Sequence, residues 1–460
     1  MALPLALGSL GLMLAGEAFL DAVFDTVTMY VLNWGGKPAN RLVELARWTA
    51  PLSTAAGIVL FIRPFARYLA AGIRYLTSRD SVAVYGDHAL YLALKKRCRV
   101  TEGAESLLPA HRYLFFGGEE ENLDSYLRFR EKLKNREVTL RCSSLRTQDV
   151  RDSRLHLFSA EETAARLFWR QADMITLFNR KGPALDVALV GFGALGEEVL
   201  TWGLQSNIFS PDQRITWHVF GSDGSFAALH PCLSQIGDPV VFYGTPWQEN
   251  LPVLEKADRV LVCGQEDQLA LTQRLMSVLP GKTIDVFAVR KERFSLCEDA
   301  ERLRLFDWKE EALTPENIFD AATLKRAKAI NLRYAHLYRR VPETPENMES
   351  EWARLDAFGR YSNISCADYH EIRLQMLRAW GAEENAASLS AERLELLGKL
   401  EHIRWCRYHF LNNWTCGDPG QGNRKDPARK IHRDLVPWAE LDRGEKEKDR
   451  ENIRLLLSLR

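Results

Sequence analysis

The chain has 460 residues, more than one ordinary core accommodates, so two to four domains are expected. Lys plus Arg and Asp plus Glu each number 61, so no global charge drives it onto duplex nucleic acid. The eight cysteines are scattered, with no CxxC and no His/Cys ligand spacing. That argues against a metal site or a disulfide framework and fits a reducing compartment.

Residues 1–78 break the soluble pattern. Met1 to Leu32 is almost wholly apolar, interrupted by Glu17, Asp21 and Asp25, and Trp48 to Ala71 is apolar up to Arg63. A membrane helix needs about 20 apolar residues. Residues 3–24 and 51–70 are therefore read as two spans, with a buried helical hairpin or an oligomerisation stalk as the bland alternative. Arg63 and Arg67 near the end of the second span, with Arg74, Arg79 and Lys95-Lys96-Arg97 after it, place that side in the cytoplasm, at the inner membrane. Glu17, Asp21 and Asp25 recur every four residues, so one helix would carry them on one face. Carboxylates in lipid mark a candidate cation path. The short amphipathic stretch 40–48 stands where a pore helix would sit, and no Thr-Val-Gly-Tyr-Gly filter is present, so potassium selectivity is not supported.

Residues 79–180 alternate apolar runs with amphipathic helices, which argues for a parallel α/β sheet. Only Gly86-Asp87-His88 stands where a glycine-rich turn would follow the first strand. This unit reads as a degenerate Rossmann-like scaffold.

Residues 181–300 keep the motif. The strand 186–190 runs into Gly191-Phe-Gly193-Ala-Leu-Gly196, and a helix starts at Glu197. Gly191, Gly193 and Gly196 allow the tight turn, close approach to a pyrophosphate and helix–strand packing. Asp223 follows the next strand, in the region where an acid meets a ribose hydroxyl. NAD(H) or another adenine nucleotide is the cofactor this pattern suits, and glycines kept only for packing are the bland reading. With Ala257-Asp258-Arg-Val-Leu-Val and Gly264-Gln265-Glu-Asp-Gln268, the order of elements resembles the TrkA N-terminal, or RCK, domain. That family regulates potassium transport and channels. The resemblance implies a homo-oligomer, dimer or tetramer. No Tyr-xxx-Lys pairing or other catalytic constellation follows, so an enzyme is not expected.

Residues 301–460 are helix-rich and contain an internal echo. Ala329-Ile-Asn-Leu-Arg-Tyr334 parallels His402-Ile-Arg-Trp405, and Trp352-Ala-Arg-Leu-Asp356 parallels Trp438-Ala-Glu-Leu-Asp442. A repeat of this length suggests two related lobes, residues 301–387 and 388–460. The second lobe reads Leu-Glu-His-Ile-Arg-Trp (400–405), Trp414, Gly417, a basic loop (Arg424, Lys425, Arg429, Lys430, His432, Arg433), then Leu-Val-Pro-Trp (435–438). That order resembles the repeat domain of ryanodine receptors, the RyR domain, carried as tandem pairs. The first copy lacks the Leu-Val-Pro element and the basic loop.

Aromatic faces stack bases and guanidinium groups pair phosphates. The parts therefore suit a small anionic nucleotide-like ligand rather than a duplex. The resemblance implies nucleotide recognition by Arg404, Trp405, Trp414, Arg429, Lys430, Pro437 and Trp438; the bland reading makes the indoles and His402 core residues.

The fold class expected is thus α/β: tandem Rossmann-like domains of the RCK/TrkA-N kind, an N-terminal two-helix membrane segment and a C-terminal, mostly α tandem RyR module. The function expected is a nucleotide-sensing membrane protein in the lipid bilayer, a ligand-gated channel or conductance regulator. The module order also resembles effectors of bacterial nucleotide-signalling antiviral defence. The alternative is an NAD(H)-binding regulator of cation transport without its own pore.

Overall fold

The structure, a computed structural model, describes residues 2–96, 98–103, 106–145, 155–264, 266–319, 321–420 and 422–459. Met1, Arg97 and Gln265 of the readings above lie outside them. The chain divides into two compact units, residues 1–85 with 98–113 and residues 86–97 with 114–460.

The first unit holds α1 (Ala2–Leu14), α2 (Phe19–Met29), α3 (Arg41–Thr77), β1 (Val82–Tyr85) and β2 (Val100–Glu102). The expected first span, 3–24, is divided: α1 has 13 residues and α2 has 11. At 1.5 Å per residue α1 is about 20 Å long, short of the ~30 Å hydrocarbon layer. It nests instead on its neighbours. A Cβ on Gly8 would lie 2.4 Å from Thr26, and Leu12 buries with Ala22, Val43, Ala46 and Ala50. Stretch 40–48 is no separate pore helix: Asn40 caps α3 by accepting from Leu42 and Val43 N–H, and its Nδ2 donates to the Gly11 carbonyl. Glu17 precedes α2, which carries Asp21 and Asp25. α3 is continuous over 37 residues through Pro51 and Pro64.

Two parallel sheets follow, and the mixed α/β class holds. The first has five strands in the order β2-β1-β3-β4-β5, with α4 (His88–Lys95), β3 (Arg112–Phe115), α5 (Glu119–Leu133), β4 (Glu137–Arg141) and β5 (Leu155–Phe158). β1 pairs with β2, and β4 with β5, in parallel.

The second unit continues through α6 (Ala160–Gln171), α7 (Met174–Lys181), β6 (Ala184–Val190), α8 (Ala194–Ser206), β7 (Arg214–Phe220), α9 (Ser225–Leu229), β8 (Val240–Tyr243), α10 (Leu251–Lys256), β9 (Arg259–Val262), α11 (Gln268–Val278), β10 (Ile284–Ala288) and β11 (Leu303–Asp307). Six parallel strands take the order β11-β10-β9-β6-β7-β8. Numbered within the sheet this is 6-5-4-1-2-3, the doubly wound order of Rossmann-like sheets. Its central strands are mostly apolar because helices cover both faces; Val187, Leu189, Val260 and Val286 are fully buried, and the charged Arg259 and Asp285 are buried as a pair.

The C-terminal part is helical: α12 (Trp308–Ala312), α13 (Pro315–Phe319), α14 (Ala321–Arg339), α15 (Pro345–Arg354), α16 (Ala357–Ala379), α17 (Ala391–Leu411) and α18 (Arg443–Ser458), with the short strands β12 (Thr415–Cys416), β13 (Lys425–Asp426) and β14 (Ile431–His432). The two Trp-Ala-x-Leu-Asp stretches hold equivalent places. Asp356 caps α16 by accepting from Gly359 N–H, and Asp442 caps α18 from Glu445 N–H. Packing follows the same symmetry: α14 lies on α16 and α17 on α18, while α14 also meets α18 and α16 meets α17. Arg333 of α14 reaches Glu451 of α18 at 3.3 Å, and Arg404 of α17 reaches Ser365 of α16 at 2.9 Å. This reciprocal pairing is what a local two-fold produces.

Candidate functional site

β6 is buried to its end and the chain turns at Gly191 with φ +82°. Its N–H donates to the Phe220 carbonyl, and a Cβ there would lie 2.5 Å from Cα of Gly264, the residue that closes β9. Only glycine allows this meeting of backbones at the point where the strand order reverses. Gly193 opens α8 with no side-chain cap and open space around its Cβ position. Gly196 faces Phe192 and the Gly191 carbonyl, at 3.1 and 3.2 Å from a Cβ. An uncapped helix N-terminus behind a glycine turn is a ready phosphate seat. Asp223 is exposed, and its Oδ1 accepts from Ser225 N–H and Oγ at 2.9 and 2.6 Å, bonds that hold its carboxyl below the usual range. It caps a turn with that oxygen. The glycine motif does not announce an aromatic floor: Phe192 meets Phe226 and Phe242 edge-on at 5.6 and 6.0 Å. The signal was the phenylalanine inside the glycine loop.

In the helical module the expected residues divide. Arg404 is 1% exposed and bonds Glu401 and Ser365, while Arg373 holds the same carboxylate. It belongs to the core, because a buried guanidinium needs its partners. Trp414, also buried, stacks on Phe358 at 5.1 Å. Trp438 donates to Glu395 at 2.8 Å and lies under Arg450 and Lys446. Trp405 is half-buried against His409, His432 and His402, with ring centres 4.1, 4.9 and 5.7 Å away. Burial pushes His409 down to about 3 and His432 to about 4, so both are neutral near pH 7 and the box is aromatic without charge.

Pro437 is exposed and leads the turn Trp438–Glu440. Arg429 bonds Asp426 and the Pro419 carbonyl, and Lys430 donates to the Asn412 carbonyl at 3.1 Å. Arg424 is held by Asp434, Asp442 and Glu445. Arg429 and Lys430 remain exposed, as does Lys425.

The two places are joined within one unit. Arg407 of α17 donates to the Leu204 carbonyl of α8 and pairs with Asp238 at 2.7 Å. His230 Nδ1 lies 2.7 Å from the Leu411 carbonyl, and Asn413 Nδ2 donates to the Leu229 carbonyl at 2.8 Å. The helix that starts at the glycine loop is thus gripped at its far end by the helical module. Among the described residues no group of three or more His, Cys, Asp or Glu side chains could hold a metal ion. Comparisons with family models, curated proteins and solved structures find no match.

Proposed function

We propose that the chain is a nucleotide-responsive protein tethered to a membrane by α3. A nucleotide at the Gly191–Gly196 loop would change how α8 sits against the helical module. The observation that carries the reading is the strand order, with the glycine turn at its switch point and an uncapped α8 behind it. The tether is supported by α3, the one helix among the described residues long and apolar enough to cross a membrane by length and composition. It leaves Trp48, Leu52, Val59, Phe65 and Leu69 exposed. A ligand shifts such an equilibrium only by its differential affinity for the two states.

The test is thermal denaturation of the full chain in detergent with NAD, ADP-ribose, ATP and cyclic nucleotides. Stabilisation by one of them, lost in Gly193→Asp, supports the loop. Loss in Trp414→Ala with Lys430→Ala, but not in Gly193→Asp, moves the site to the RyR-like lobe. No response to any of them, or a chain monodisperse without detergent, defeats the proposal.

A second reading, conductance, rests on Glu17. One of its carboxylate oxygens is buried without a hydrogen-bond partner, ahead of Asp21 and Asp25 on α2. Several chains would be needed to line a pore, since only one long apolar helix is described in each. Nucleotide-dependent ion flux in liposomes is its test, and flux unchanged in Glu17→Gln counts against it.

A further inference from the structure

The loops after β3, β4 and β5 enclose a cavity of about 280 Å³ whose walls include Gly118, Glu119, Arg141, Phe158 and Glu161. It lies outside the carboxyl ends of parallel strands, where open α/β sheets take ligands. Its walls are held before any ligand arrives. Asn122, 3% exposed, accepts from Gly117 N–H and donates to the Gly117 and Arg141 carbonyls. Glu119 accepts from Ser143 N–H and Oγ, Ser144 N–H and Cys142 Sγ. Burial pushes its carboxyl up, but those bonds outweigh it and bring it down to about 2. Glu119 is therefore a fixed anion, spent on the loop 142–144.

Three groups at the cavity remain unspent. α5 begins at Gly118 with no side-chain cap, so its first-turn N–H groups are without an acceptor among the described residues. The Arg141 guanidinium has no ion pair or hydrogen bond among the described residues. Glu161 stands on another wall with only a long 3.4 Å contact from Ser159 Oγ.

The geometry points to a site for a small zwitterion of the α-amino acid type, its carboxylate at the α5 N-terminus and Arg141 and its ammonium at Glu161. Both unspent donors are met by a carboxylate and the unspent acceptor by an ammonium, with buried Phe158 as an apolar wall. A phosphate fits worse: Glu119 and Glu161 line the cavity and Glu120 and Glu121 follow on α5, against one Arg141. A lone cation would leave the guanidinium and helix N-terminus opposed, and a sugar diol would leave them unpaired.

Calorimetric titration and thermal denaturation of the full chain in detergent test this with the twenty common amino acids, acetate, methylammonium, ribose and inorganic phosphate as probes. At least one amino acid should bind and the four fragments should not. Arg141→Gln and Glu161→Gln should each weaken binding about tenfold or more while melting as the parent does. Gly193→Asp should leave it unchanged, so failure here is separable from failure of the nucleotide reading. Binding of no amino acid, binding retained in both variants, or binding of ribose or phosphate instead would overturn the assignment.

Discussion

The two parallel sheets share one device and differ in what lies beyond it. In the second, Gly191 meets Gly264; in the first, Gly86 (φ +86°) meets Gly117, a Cβ being 2.4 Å from its Cα. Beyond that contact the second sheet has a recognisable glycine loop with an aromatic floor. The first has no motif, yet a cavity of about 280 Å³ lies at the ends of its strands. A glycine fingerprint reports a turn that brings backbones together. It does not report where space is left.

Breaking the buried charge cluster of the helical module should have the largest effect. Arg404→Ala would strand the buried Glu401, which burial pushes up and its two arginines hold down, and should cost about 3–5 kcal/mol in chemical denaturation. A merely ligand-binding Arg404 would leave stability unchanged. Next, Gly191→Ala and Gly86→Ala should each cost about 3 kcal/mol through backbone overlap and left-handed φ; a loss at only one would dissolve the likeness between the sheets. Gly193→Asp should remove nucleotide-induced stabilisation of about 2.7 kcal/mol at ligand about 100 times Kd, with Gly118→Asp leaving it intact.

The smallest effect is a pH slope. Glu119 ionises near 2 when folded against 4.5 ordinarily, so its contribution is complete above about 4.5 and fades as pH falls toward 2. Solvent screening keeps it to about 1 kcal/mol. Glu119→Gln should flatten the acid limb of a stability–pH curve by that amount, and an unchanged limb would show the loop 142–144 does not depend on it.

The legible parts of the chain are those whose partners lie close in sequence. Gly191, Gly193 and Gly196 announce their turn within six positions, and Asp356 and Asp442 announce helix caps. The turn at Asp223 has its partner two positions on, at Ser225. Arg404 sits one helical turn after Glu401, a spacing that pairs charges, yet its burial depends on α16, which sequence alone does not bring near. Gly16 lies in the break that divides the first apolar stretch, and hydrophobicity alone cannot see a break. The cavity was illegible because Gly118 at the start of α5, Arg141 at the end of β4 and Glu161 in the first turn of α6 are brought together only by the sheet.

The reciprocal helix pairing of the C-terminal module bears on how it is made. Since α14 rests on α18 and α16 on α17, neither repeat completes its own surface, and the two must become ordered together. A protease cut in the connection between α16 and α17 would therefore leave the fragments clasped. Separately expressed halves should recombine on mixing, as complementing pieces of one cooperative body rather than as two independent beads on a string.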